Sequence, residues 1–157
     1  LDYLIIDLPP GTGDVQLTLA QKIPVSGAII VTTPQDIALL DARKGLKMFE
    51  KVEVPVLGIV ENMSLHICSK CGNEESIFGE GGGASLANES KVDLLGKLPL
   101  DISIREQTDT GKPSVINEPD GRIAEIYSEI ARKAVGKLAA QSKDYSSKFP
   151  KIVIDNN

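Results

Sequence analysis

The 157-residue chain is 41% apolar and 25% charged, the balance of a globular domain with room for one sizeable core. Lysine and arginine number 17 against 22 aspartates and glutamates, so the formal charge is −5, which argues against a nucleic-acid surface as the main function. No apolar run nears the roughly 20 residues of a membrane span, and with 4% aromatics and no Trp the core has to be aliphatic.

The first residue is Leu, at the edge of a predicted strand, so the sequence reads as the later part of a longer protein. Residues 4–8 form a short apolar run with β-branched members and Asp7 near its end, the pattern of a parallel strand buried on both faces. Pro9 and Pro10 stop the ladder, Gly11 and Gly13 admit backbone shapes closed to other residues, and Asp14 is placed to cap a helix over residues 15–22. A carboxylate at such a strand end can hold a magnesium ion through water. A second strand is predicted over 25–33, a helix over 37–52 capped by Asp36, and a third strand over 54–60. Strand, helix, strand, helix, strand is the signature of a parallel sheet flanked by helices, an α/β fold.

Residues 65–76 form a loop with both cysteines of the chain, and residues 79–83 a glycine-rich hinge leading into a helix that ends near 89. A fourth strand is expected over 92–98, a short helix capped by Asp101 up to 109, and a long amphipathic helix over 120–140. Residues 1–142 thus read as one α/β unit and 143–157 as a polar tail, whose apolar triplet at 152–154 is a candidate edge strand.

Cys68-x-x-Cys71-Gly72 places two sulfurs on one tight turn, a geometry suited to a metal knuckle. Structural zinc or an iron–sulfur cluster takes four ligands, and the sequence offers two cysteines and one histidine. Besides an idle pair, three outcomes stay open: a redox disulfide, zinc with other ligands, or two chains each giving two cysteines to one site, as a two-fold dimer does. His66 alone in a loop reads more readily as a packing residue than as a ligand. Asn62 follows a parallel strand directly, where its amide can read the edge of a base, and Pro99-Leu100-Asp101 after the next strand can wall it. Asp7, residues 32–35, Asn62 and Pro99 would then share one rim. No Gly-x-x-x-x-Gly-Lys-Ser/Thr phosphate loop occurs anywhere.

Taken together, these strings resemble the Mrp/ApbC family of P-loop ATPases, iron–sulfur cluster carriers related to MinD and ParA. The resemblance is carried by residues 4–18, 31–35, Glu61-Asn62-Met63-Ser64 with Cys68-x-x-Cys71-Gly72, 78–82, and 98–101 with Ile104-Arg105. It implies a MinD-like P-loop NTPase fold incomplete at the N-terminus, because the family's deviant Walker A loop would precede Leu1. It implies that Asp7 is the Walker B carboxylate near magnesium and that Pro10 to Gly13, with Gly11 and Gly13, is a switch loop sensing the γ-phosphate. Asn62, with Pro99, Leu100 and Asp101, would contact the adenine of ATP. Cys68 and Cys71 would hold half of a 4Fe–4S cluster bridging a homodimer, for transfer to apo iron–sulfur proteins. In that family the phosphate-loop strand lies beside the Walker B strand, so its absence implies a gap or an altered strand order. The alternative is a MinD- or ParA-like positioning ATPase with structural zinc in the cysteine loop. A dithiol oxidoreductase is a third. The terminal segment lacks the basic amphipathic pattern of a membrane-surface helix, so neither a membrane nor a nucleic acid is an expected partner, and a reduced cysteine pair suits the cytoplasm.

Overall fold

The computed structural model describes residues 1–8, 13–68 and 70–141. The expectations for Gly11, for most of the switch loop and for the polar tail with its triplet at 152–154 lie outside the described residues. The elements run α1 (Asp14–Lys22), β1 (Ala28–Thr32), α2 (Asp36–Lys51), β2 (Val56–Glu61), β3 (His66–Ile67), β4 (Glu74–Glu75), α3 (Gly82–Ser90), β5 (Leu94–Lys97), α4 (Ile102–Asp109), α5 (Ser114–Asn117) and α6 (Arg122–Ala140). Strands β1, β2 and β5 form one parallel sheet in the order β1-β2-β5, and β3 and β4 form a separate antiparallel hairpin.

The three parallel strands are apolar because helices cover the sheet from both sides. Ala28, Ile30 and Ile59 face Leu39, Ala42, Leu46 and Phe49 of α2 and Leu86 and Ala87 of α3. Leu57, Val60, Leu95 and Leu98 face Ile130 and Ala134 of α6 on the opposite side. Leu57 and Ile59 reach different layers although two apart, because the β1–β2 register shifts between Ala28 and Ile29. Gly58 lies on β2 at that irregularity with φ +156°, where a Cβ would come within 2.5 Å of the Asp93 carbonyl oxygen.

The predicted first strand does not form. Residues 1–8 have no regular structure, and Leu4 and Ile5 are 73% and 91% exposed. A parallel strand is stable only beside a hydrogen-bonded neighbour, and among the described residues none flanks this segment or the outer edge of β1. That edge carries Ile29 and Val31 on an open face, because α6 lies over β2 and β5.

Smaller corrections concern the helix starts. Helix α1 begins at Asp14 with Gly13 at its N-cap, and α2 begins at Asp36 with Gln35 at its N-cap, neither with a side-chain cap bond. The Asp101 cap forms as expected, its Oδ1 accepting from the Ser103 N–H at 2.8 Å and the Ser103 hydroxyl at 2.7 Å. The glycine loop at 79–83 is packed rather than a free hinge. Gly79 and Gly81 take left-handed backbone, and a Cβ on Gly82 would meet the Pro34 carbonyl oxygen at 2.6 Å.

Candidate functional site

Because β1, β2 and β5 are parallel, their carboxyl ends deliver residues 33–35, Asn62 and residues 98–101 to one rim. The Asn62 N–H donates to the Thr32 carbonyl at 2.7 Å, which ties two of the three ends together. The Asn62 Oδ1 accepts from the Met63 N–H at 3.0 Å and supports a left-handed Met63 (φ 54°). The Nδ2 donors of the amide keep no protein partner among the described residues. Pro99, Leu100 and Asp101 are half-buried beside this turn. A cleft of about 400 Å³ opens at the same edge between Pro34 to Asp36 and the glycine loop. Asp7 is exposed on a segment without regular structure, so no strand end carries it to this rim, and Gly13 is exposed at the start of α1.

A buried carboxylate that sequence reasoning passed over organises the rim. Glu61, the last residue of β2, is 1% exposed. Its Oε2 accepts from the Gly83 N–H at 2.6 Å, in the first turn of α3, and its Oε1 lies 3.5 Å from the Lys97 ammonium at the end of β5. A Cβ on Gly83 would lie 2.9 Å from Glu61 Cβ, so glycine there permits the approach. The carboxylate answers the positive end of α3 from inside the protein. The signal in the sequence was a Glu ending an apolar strand, ahead of a glycine run.

The cysteines stand on the hairpin that leaves this rim. The Cys68 N–H donates to the Asn73 carbonyl at 2.9 Å and the Gly72 N–H to the Cys68 carbonyl at 2.8 Å, closing a tight turn with Gly72 in the left-handed region. Backbone N–H groups of Lys70 and then Cys71, followed by the Cys71 side chain, hold the Cys68 thiol below its ordinary range by stabilising the thiolate. Cys68 is partly exposed and Cys71 exposed, and both are free thiols. Among the described residues no group of three or more His, Cys, Asp or Glu side chains is placed to hold a metal ion. His66 is held instead by protein. Its Nδ1 lies 3.1 Å from the Leu100 carbonyl oxygen, which can only accept, so Nδ1 carries the hydrogen. Residues 62–66 run beside 98–100 as a continuation of the sheet, with the Ser64 N–H donating to the Leu98 carbonyl and the Leu100 N–H to the Leu65 carbonyl.

Parallel strands flanked by helices, with loops gathered at the carboxyl edge, define the α/β class of the MinD-like P-loop NTPases. A nucleotide-binding protein from Archaeoglobus fulgidus, solved in complex with ADP and with cobalt, superposes with a TM-score of 0.67 at 39% identity, over 81% of this chain and 51% of that one. The cell division ATPase MinD of Pyrococcus furiosus superposes at 0.56 with 26% identity, over 72% and 43%. Residues 1–135 match the ParA family described as NUBPL iron-transfer P-loop NTPases, and the chain belongs to that family. Similar relatives are the iron-sulfur cluster carrier proteins of Pseudomonas fragi (65% identity over 83% of this chain and 46% of the relative) and of Escherichia coli K12 (60% over 91% and 39%). The iron-sulfur cluster transfer protein NUBPL of mouse is 54% identical over 88% of this chain and 43% of its own length. The chain therefore spans less than half the length of these curated relatives.

Proposed function

We propose that this chain is the cluster-bearing part of an iron–sulfur carrier that binds and hydrolyses ATP and passes its cargo to apo-proteins. The observation that carries this reading is the tight Cys68–Cys71 turn, closed by the Gly72 N–H on the Cys68 carbonyl, with two free thiols and no further ligand at hand among the described residues. Two such turns related by a dimer axis would supply the four thiolates of a 4Fe–4S cluster. The cluster is cargo, held by groups exposed enough to release it. The names of the relatives, all iron–sulfur carrier or transfer proteins, support the same reading over a positioning ATPase.

The residues present fit the base end of a nucleotide. Asn62 offers free amide donors, while Pro99 and Leu100 supply half-buried apolar surface. Asp101 keeps its Oδ1 on the α4 cap, which fixes the loop that carries it. Asp7, Gly11 and Gly13 would serve magnesium and the γ-phosphate once a phosphate-binding loop lies beside them. That loop is absent from this sequence and belongs, in this reading, to the remaining length seen in the relatives. Magnesium would draw charge off the phosphates during hydrolysis. No described helix is long and apolar enough to cross a membrane. The free thiols fit a reducing cytoplasm, and the acidic balance fits protein recipients rather than nucleic acid.

The test is anaerobic reconstitution with ferrous iron and sulfide. The chain should acquire the broad visible absorbance of thiolate-bound iron–sulfur, and Cys68→Ser and Cys71→Ser should each lose it. An unchanged spectrum in either variant would contradict the assignment.

A further inference from the structure

We propose that His66 is a positioning residue that locks the cysteine hairpin to the rim at Leu100, so that metal loading at Cys68 and Cys71 changes the conformation of residues 99–101. The inference rests on the reading of the cysteine pair as a metal-binding turn. It does not require that nucleotide binding be correct.

The hairpin β3–β4 has two residue pairs, His66 with Glu75 and Ile67 with Glu74. A hairpin that small does not hold itself in place in water, so its position depends on its links to the body. Those links form one line. The Leu98 N–H donates to the Glu61 carbonyl at 2.8 Å, the Ser64 N–H and hydroxyl donate to the Leu98 carbonyl at 2.9 and 3.0 Å, and the Leu100 N–H donates to the Leu65 carbonyl at 2.8 Å. The backbone pairing runs as far as the bridge between His66 and Leu100. At that last pair the His66 ring adds the one side-chain hydrogen bond that leaves β3 among the described residues. Cys68 follows β3 directly, two residues beyond His66, and its N–H donates to the Asn73 carbonyl at 2.9 Å. A shift of the turn that follows metal loading reaches the Leu100 carbonyl through the imidazole as well as along the paired backbone. The next residue, Asp101, caps α4, so a displaced Leu100 also tilts the start of that helix.

The test uses the whole chain, labelled with nitrogen-15, and zinc ion as the probe. In the wild type, zinc should shift the amide signals of Cys68, Lys70, Cys71 and Gly72, and with them those of Leu100 and Asp101. His66→Phe keeps the ring and removes the donor. It should retain the first set of shifts and weaken the second. His66→Asn returns an N–H donor near the place of Nδ1 and should restore part of the second set. Should the hairpin of His66→Phe prove unfolded, His66→Asn beside Ser64→Ala gives the same comparison, because Ser64→Ala removes a different link and should leave the relay intact. Shifts at Leu100 and Asp101 that persist undiminished in His66→Phe, or that are absent from the wild type, overturn the relay. Absence of any zinc response at Cys68 to Gly72 overturns the metal reading itself, and the relay with it.

Discussion

Glu61 and Cys68 illustrate how single atoms set the properties of this rim. The Glu61 carboxylate is out of water, yet both its oxygens have partners, one in the Gly83 N–H and one near Lys97. Removing it leaves a buried N–H without an acceptor, which costs about 1–3 kcal/mol. Glu61→Ala should therefore lower the urea midpoint by an amount of that order. Glu61→Gln, which keeps an acceptor for Gly83, should lose less; an equal loss in both variants would show that the charge, not the acceptor, is what matters. At Cys68 the backbone supplies the donors, so the low thiol range belongs to the turn and not to a neighbouring base. The motif and its glycine were legible in the sequence because a tight turn needs both. The Glu61 contact was not, because it joins residues 22 apart and only folding brings them together.

Among the elements, those defined by local chemistry match their sequence reading closely. The Asp101 cap, the stop at residues 110–113 and the long amphipathic α6 all follow from neighbours in the chain. Residues 1–8 fail for the opposite reason. Their pattern states that a strand would suit them, but pairing is a long-range property and no described edge meets them. Packing between elements is equally non-local. Gly96 of β5 faces Ile130 of α6 so closely that a Cβ would lie 2.5 Å from Ile130 Cγ1. Gly96→Ala should destabilise by about 1–3 kcal/mol through overpacking. Combined with Ile130→Ala it should cost less than the sum of the two single changes, and simple additivity in denaturant titrations would contradict the contact. On the far side of the sheet, Arg43 of α2 holds Glu89 of α3 at 2.9 Å, and that hydrogen bond, reinforced by its charge, keeps the Glu89 carboxyl below its ordinary range. A carboxyl lowered in the folded state adds stability above its unfolded value of about 4.3 and loses it as pH falls through the lower folded value. The stability difference between wild type and Arg43→Ala should thus be small at pH 7, because the pair is exposed, and should vanish in acid. A difference that grows as pH falls would refute the pairing.

For the whole molecule, the sheet has an open edge at β1. Among the described residues that edge presents unpaired backbone and exposed Ile29 and Val31, the kind of surface that proteins cover. In the proposed function the cysteine hairpin is similarly half a site, since two thiolates do not complete a four-ligand centre. The central claim is that two copies complete it. The direct measurement is intact mass under non-denaturing conditions after anaerobic reconstitution with iron and sulfide. The account predicts a dimer carrying one four-iron cluster, with both cluster and its mass lost in Cys68→Ser. A monomer that retains the cluster, or a dimer that retains it without Cys68, would contradict the account.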